Sequence, residues 1–414
     1  MLSFSIQNFG CRVNQAEAFS WAEEFELRGL RLEADPTQAN LVVVNTCTLT
    51  ARADRDVRKF IRRILRLNPK ARLIVTGCSV DGGTVATEML LPEVLLLPNA
   101  AKAELPDRAL AGVKTSAAPT ATPLRSRALL KVQDGCDLSC TFCVIPSVRG
   151  PSRSLSRREI LARARQLVDQ GFREIVLCGI HLSSYGMDLE PRDSLLGLIG
   201  SLEEIERLGR LRLSSLDPRH LDEEFISRIT HSDKVCPHFH LSLQHASDRI
   251  LRRMGRSSNA AGTMRILLQL RERSPEAALG ADFIVGFPGE EKEDFERLLE
   301  FVDRSPLDYL HVFTYSPRPG TPAAGWDQVE DKEKGLRSAA LRQVAADKRR
   351  AFRERHIGRE LCGIIIKTDA QGARVLTSNY IDVLVPCSSG RPGEEVRVKI
   401  TRVESKQTFG EEAV

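Results

Sequence analysis

No stretch of this sequence approaches the roughly 20 consecutive apolar residues that cross a bilayer, so no membrane span is expected. The first residues, Met1-Leu2-Ser3-Phe4-Ser5-Ile6, lack the basic and apolar regions of a secretory signal, and a cytoplasmic location is expected. A reducing compartment disfavours stable disulfides, although the chain has ten cysteines. There is no internal repeat, so a repeat architecture is not expected. A strong charge imbalance is missing too: a net +5 says little about partners, and the placement of charge matters more.

What is present then bounds the fold. A chain of 414 residues is too long for one ordinary core, so two or three domains are expected. The first hundred residues alternate strands and helices. Phe4 to Phe9, Leu41 to Asn45 and Leu73 to Thr76 read as strands, and Gln15 to Leu27 as a helix. This βαβα order predicts an α/β domain with a parallel sheet, over 1–113. Residues 114–127 (KTSAAPTATPLRSR) are rich in Ser, Thr, Ala and Pro without periodicity and read as a linker.

Strands beginning near Ala128, Glu174, Arg210, His238, Gly280 and Tyr309 then alternate with helices. They predict a partial (β/α) barrel over 128–350. A charged helix from Lys332 to His356 leads out. Leu361–Thr368, Ala373–Thr377, Ile381–Pro386 and Glu395–Val403 are short and β-branched, so 351–414 is expected to form a small all-β barrel. Positive charge concentrates between Arg52 and Arg72, with nine Arg or Lys against Asp54 and Asp56. A second basic helix is expected from Lys348 to Arg359.

The cysteines divide unevenly. Cys136, Cys140 and Cys143 form a C-x3-C-x2-C run just after the Ala128–Val132 strand, at the end of a barrel strand where chemistry belongs. Three thiolates on a four-iron cluster leave one iron open, and that iron can chelate the amino and carboxylate groups of S-adenosylmethionine. Phe142, before the third cysteine, is placed to cover the adenine. The plainer readings are a zinc site or three structural cysteines. Zinc usually takes four ligands, and no fourth is evident nearby.

Further turns follow successive barrel strands: Cys178-Gly179, Ser214-Ser215-Leu216-Asp217, Gln244, and Ile284-Val285-Gly286-Phe287-Pro288-Gly289-Glu290. Gly179, Ser215, Asp217, Gln244 and Val285 are therefore cofactor-binding candidates, each of which alone could be an ordinary βα turn. Cys11, Cys47 and Cys78 each follow a predicted parallel strand, and the carboxyl ends of such strands line one ligand-binding edge. A second cluster is one reading of these three, and buried small hydrophobes the other. Cys178, Cys236, Cys362 and Cys387 read as packing residues.

These residues resemble the radical S-adenosylmethionine methylthiotransferases along nearly the whole chain. The resemblance implies an auxiliary four-iron cluster on Cys11, Cys47 and Cys78 and a radical-forming one on Cys136, Cys140 and Cys143. It also implies a C-terminal TRAM barrel that helps to bind RNA. Gly10-Cys11-Arg12-Val13-Asn14-Gln15-Ala16-Glu17 is similar to the signature of the branch that modifies threonylcarbamoyladenosine in tRNA. Asn45-Thr46-Cys47-Thr48-Leu49-Thr50, Gly179-Ile180-His181-Leu182 and Leu213-Ser214-Ser215-Leu216-Asp217-Pro218 point to the same branch. Gln244-His245-Ala246-Ser247 departs from the family's usual Q-S-G-S.

By this resemblance, one S-adenosylmethionine methylates sulfur at the auxiliary cluster. A second yields a 5′-deoxyadenosyl radical that takes hydrogen from C2 of the adenine, which a methylthio group replaces. An electron donor, a sulfur source and a monomeric enzyme are expected. Binding the tRNA anticodon arm requires cations along the backbone and access to an unstacked base. Arg58, Arg62, Arg149, Arg153 and Tyr380 are the candidates, with a solvated charged face or simple packing of Tyr380 as the alternatives. Rival functions are methylthiolation of isopentenyladenosine tRNA or of a ribosomal protein, a non-catalytic iron–sulfur RNA-binding redox sensor, and a zinc-stabilised α/β protein.

Overall fold

The computed structural model describes residues 2–85, 94–113, 126–386 and 388–413. Most of the expected linker (114–125) and Cys387 lie outside them. The chain divides into two compact units. One comprises Met1–Leu124, Gln133–Arg153 and Ser316–Ala324, and the other Arg125–Val132, Ser154–Tyr315 and Gly325–Val414.

The first unit is built on a five-stranded parallel sheet. Its strands run in the order Arg31–Leu32, Ser3–Asn8, Leu41–Thr46, Arg72–Gly77, Val94–Leu97. The central strand, LVVVNT, is buried at every position, as suits a strand covered on both faces. On one face the helix Arg12–Leu27 sets Trp21, Ala22 and Phe25 against Phe4, Val43 and Ile74. On the other, the helix Ala51–Leu67 buries Val57, Ile61 and Ile64 against Val42, Val44 and Val75. That spacing keeps one stripe apolar and leaves the basic residues outside. Thr50 caps this helix by accepting from the Ala53 amide at 3.2 Å. The edge strands Val94–Leu97 and Arg31–Leu32 are additions to the sequence reading. The first is a four-residue run and the second only two residues long, too short to carry a period.

In the second unit, six parallel strands form the partial barrel. Ala128–Lys131, Glu174–Cys178 and Arg210–Leu213 make one sheet, and His238–Gln244, Ala278–Val285 and Tyr309–Thr314 the other. Single parallel bridges, Leu211 to Val235 and Leu216 to Leu241, join the two. The helix Asp331–Glu354 leads into a closed barrel of five strands. Four of these match the sequence expectation. The fifth, Thr408–Glu412, was not expected, because TFGEE has neither alternation nor β-branched residues beyond its threonine. It closes the barrel by pairing parallel to Asp382–Val385 and antiparallel to Glu395–Val403.

Arg212 fastens the two barrels of this unit together. Fully buried, it donates to Glu174 at 2.7 Å and to the Ser378 carbonyl at 2.9 Å. Burial opposes ionisation of Glu174, but the Arg212 charge outweighs it and holds the carboxyl at about 2. Tyr380, at φ +69°, stacks on His238 with ring centroids 4.1 Å apart. Cys178 and Cys236 are buried, as packing residues should be, whereas Cys362 is exposed on the strand Glu360–Asp369. Its thiol contributes nothing to the core.

Candidate cluster-binding site

The three N-terminal cysteines each stand at the carboxyl end of a sheet strand. Cys11 is the N-cap of its helix, Cys47 directly follows Leu41–Thr46, and Cys78 opens the short helix Cys78–Asp81. Gly77 makes the last turn possible: at φ +101°, an added Cβ would lie 2.5 Å from the Thr46 carbonyl oxygen. The thiols converge closely enough that Cys11 and Cys78 both act electrostatically on Cys47. Burial pushes Cys47 up to about 12 and raises Cys11 as well. Such thiols stay protonated until a metal displaces the proton. No disulfide forms among the described cysteines. Three convergent soft donors at a ligand-binding edge fit an iron–sulfur cluster.

The C-x3-C-x2-C run belongs to the same unit. Residues 135–140 have no regular structure, and the short helix Ile145–Arg149 follows. The Cys136 amide donates to the Gly150 carbonyl at 3.1 Å, which closes the run into a loop. Gly135, at φ +69°, allows that closure, because a Cβ there would fall 1.8 Å from the Pro151 carbonyl oxygen. Phe142 is half-buried between Thr141 and Cys143. The Thr141 carbonyl accepts from the Ala323 amide at 3.0 Å, so the 316–324 segment braces the loop. That segment also sends Arg318 to Asp54 and, at 2.7 Å, to Thr48.

Arg149 joins the two cysteine sets, and here the sequence reading needs correction. Expected on an RNA-facing surface, its side chain is 0% exposed. It donates to Cys78 Sγ at 3.3 Å, Asn14 Oδ1 at 2.5 Å, Glu17 Oε1 at 3.2 Å and Asp134 Oδ1 at 2.7 Å. A guanidinium so enclosed cannot meet a phosphate. Glu17 is in turn held by Lys102 at 2.6 Å and Asn45 at 3.2 Å. Of the N-terminal signature, Glu17 thus meets Arg149, and Asn14 meets both Arg149 and the Cys11 thiol, which donates to it at 3.4 Å.

In the second unit, the cofactor candidates lie at strand ends as expected, in unequal settings. Gly179 and Gln244 are half-buried and Ser215 is exposed. Gln244 adopts φ +72°, a conformation that costs a residue with a Cβ and marks a constrained turn. Asp217 and Val285 are corrections. Burial opposes ionisation of Asp217, but hydrogen bonds from His181 and Arg219 and the charge of Arg256 hold it far below the carboxylate range. Arg219 donates to Oδ2 at 2.7 Å and to Oδ1 at 2.9 Å, and Arg256 lies 3.2 Å from Oδ2, so both oxygens are engaged within the protein. Val285 is completely buried and can only back a wall.

Sequence reasoning missed several polar clusters. His245, the departure from the usual turn, is buried 3.6 Å from Glu290, which also accepts from the Gly286 amide at 2.8 Å. His240, Asp282 and His311 lie on adjacent strands with donor atoms within 4.8 Å of one another. Asp282 bonds both rings, at 2.9 Å and 3.2 Å, which satisfies the group without an ion.

Comparison with known proteins agrees with this layout. Residues 130–302 match the radical SAM superfamily, and residues 3–94 an uncharacterized protein family, UPF0004. The chain is 36% identical to the threonylcarbamoyladenosine tRNA methylthiotransferase of Rickettsia prowazekii, over 86% of each chain. It is 33% identical to the tRNA-2-methylthio-N(6)-dimethylallyladenosine synthase of Zymomonas mobilis, over 87% of this chain and 85% of the relative. The chain belongs to the radical S-adenosylmethionine methylthiotransferase family. Its fold is shared with a radical S-adenosylmethionine methyltransferase from Kitasatospora setae, at a TM-score of 0.56 and 15% identity. That alignment covers 78% of this chain and 75% of the other.

For a methylthiotransferase, the basic surfaces come next. In the first unit, Arg55, Arg58, Lys59, Arg62, Arg63 and Arg66 line a groove of ≈ 920 Å³ with Phe9 and Phe60. Arg62 is exposed, and Arg58 reaches the Thr84 carbonyl at 3.5 Å. Arg153 is exposed and donates to the Arg149 carbonyl at 2.9 Å. The second unit has a cavity of ≈ 490 Å³ lined by Arg342, Arg349, Arg374 and Lys406 together with Tyr309 and Tyr380. Tyr380 thus packs on His238 and also faces a basic cavity. The other members of that cavity come from strands and a helix distant in sequence, so no motif announced them. Among the described residues, no helix is long and apolar enough to cross a membrane.

Proposed function

We propose that this chain inserts a methylthio group at C2 of N6-threonylcarbamoyladenosine 37, next to the anticodon in tRNA. The observation that carries the reading is the placement of six cysteines, in two sets, within one compact unit and joined through Arg149. The second set offers a place for the sulfur that replaces the hydrogen. Cys136, Cys140 and Cys143 hold the cluster that binds S-adenosylmethionine, and Cys11, Cys47 and Cys78 hold an auxiliary one. When bound, these groups supply the radical that removes the C2 hydrogen and the sulfur that replaces it.

The protein's own part is to bind, enclose and orient. Phe142 covers the adenine of the cofactor, and Gly179, Ser215 and Gln244 are its binding residues at the barrel strand ends. The Asp217 network and Val285 shape those turns from behind. Arg58, Arg62, Arg153 and Tyr380 contact the RNA, where cations neutralise phosphates and an aromatic ring can stack on a base. The Gly10–Glu17 and Leu213–Pro218 signatures support threonylcarbamoyladenosine over dimethylallyladenosine as substrate. The enzyme works as a cytoplasmic monomer with an external electron donor and sulfur source.

Nucleoside mass spectrometry of tRNA from cells with and without the gene tests this. Loss of 2-methylthio-threonylcarbamoyladenosine on deletion is expected. Its persistence, in a cell with no second such enzyme, would overturn the substrate. Purified protein that binds tRNA but never cleaves S-adenosylmethionine would favour the redox-sensor reading instead.

A further inference from the structure

Arg149 has more bonds than a brace requires. Asp134 ties the loop 134–150 to itself and Glu17 fastens it to the helix Arg12–Leu27, yet the guanidinium also turns its Nε–H onto a sulfur. That N–H lies 3.3 Å from Cys78 Sγ, and the cation also acts electrostatically on Cys11. The fork fixes this aim. Nη1 is committed to the carboxylates of Glu17 and Asp134 and Nη2 to Asn14, so the Nε edge has one orientation left. Lysine, with one nitrogen on a flexible stem, could not divide its donors in this way.

We propose that Arg149 is a positioning residue that raises the reduction potential of the cluster held by Cys11, Cys47 and Cys78. The inference rests on the auxiliary-cluster reading given above. Adding one electron to a thiolate-bound cluster adds one negative charge where water cannot screen it. A fixed cation beside a ligand sulfur stabilises the reduced form, and an N–H···S bond acts in the same direction. The two acids that Arg149 meets, Glu17 and Asp134, both bond to Nη1, away from the sulfur-facing Nε edge, and Lys102, 2.6 Å from Glu17, adds a second cation to the group. The same side chain holds the radical-cluster loop through Asp134, two residues before Cys136. Any substitution at Arg149 therefore touches both cysteine sets, and activity alone could not separate the two roles.

The test isolates one cluster. The full-length Cys136→Ala/Cys140→Ala/Cys143→Ala chain is reconstituted with iron and sulfide under anaerobic conditions. It is titrated with dithionite as one-electron reductant and followed by electron paramagnetic resonance. Introducing Arg149→Gln is expected to shift the reduction equilibrium at least tenfold toward the oxidised form, a midpoint about 59 mV more negative. Arg149→Gln takes a cation from Asp134 and from the buried Glu17, so Arg149→Lys, which keeps the charge but not the fixed N–H···S bond, is measured in parallel. Arg149→Lys is expected to shift in the same direction by less. Unchanged midpoints in folded, iron-loaded samples would overturn the inference and leave Arg149 as a brace. A background chain that takes up no iron would instead overturn the auxiliary-cluster reading, a separate failure.

Discussion

Two of the buried arginines, Arg149 in the first unit and Arg212 in the second, are used differently. Arg149 divides its donors among two carboxylates, an amide oxygen and a thiol. Arg212 gives its donors to one carboxylate and two backbone carbonyls, those of Thr377 and Ser378, beneath the ring of Tyr380. Both guanidiniums lose their water, and both recover it in charge-assisted bonds. Arg212 has only protein to hold, and its bonds weld two barrels. Arg149 ends on a sulfur, so its bonds reach the chemistry. A buried cation is thus explained by where its last donor goes.

The largest expected effect removes that sulfur. Cys78→Ala should abolish the methylthio product while 5′-deoxyadenosine still forms from S-adenosylmethionine. Cys136→Ala should abolish both, as read by product and 5′-deoxyadenosine assays. Equal loss of 5′-deoxyadenosine in the two variants would break the division of labour between the cysteine sets.

Next in size is Arg212→Ala, which leaves the buried Glu174 with Arg127, at 3.3 Å, in place of its main partner. It should cost about 3–5 kcal/mol in urea denaturation. Glu174→Met/Arg212→Met, which removes the pair together, should be near neutral. If the single and double variants were equally unstable, the weld would owe its strength to packing rather than charge.

A smaller effect follows from Glu174, held at about 2 against an ordinary 4.5. The folded value lies below the unfolded one, so the pair's contribution is complete above about 4.5 and lost as pH falls through about 2. Across that window the stability advantage of the native chain over Glu174→Gln should shrink, as measured by denaturant unfolding at each pH. Arg62→Gln is the surface control. It should leave stability within about 0.5 kcal/mol and lower the salt slope of tRNA binding by about 0.7–0.9.

The parts of the site that were legible in the sequence are those fixed by local rules. Parallel strands end at Asn8, Thr46 and Gly77, and a cysteine after each end declares itself. Gly77 and Gly135 stand where backbone passes too close for a Cβ, and each lies beside a cysteine. What stayed hidden depends on residues far apart along the chain. Arg149 finds Glu17 across 132 positions, and Arg318 finds Asp54 across 264. No spacing rule spans such gaps. Arg149 read as a surface cation because, locally, it is one more arginine in a loop of small residues. Asp217 read as a ligand because two of its partners, His181 and Arg256, are not sequence neighbours, although Arg219 is.

The loop 133–153 carries Cys136, Cys140 and Cys143, yet its contacts fall in the unit built on the N-terminal sheet. Radical barrels invite use as interchangeable parts, cut at a linker and grafted onto new recognition domains. This barrel is not portable in that sense. A chain begun near residue 126 would keep Cys136, Cys140 and Cys143 but lose Asn14, Glu17 and Cys78, leaving Arg149 with Asp134 alone of the four side chains it bonds. The segment 316–324 would lose Asp54 and Thr48 in the same cut. Any chimera of this protein must therefore exchange the N-terminal sheet and the catalytic loop as one inherited piece.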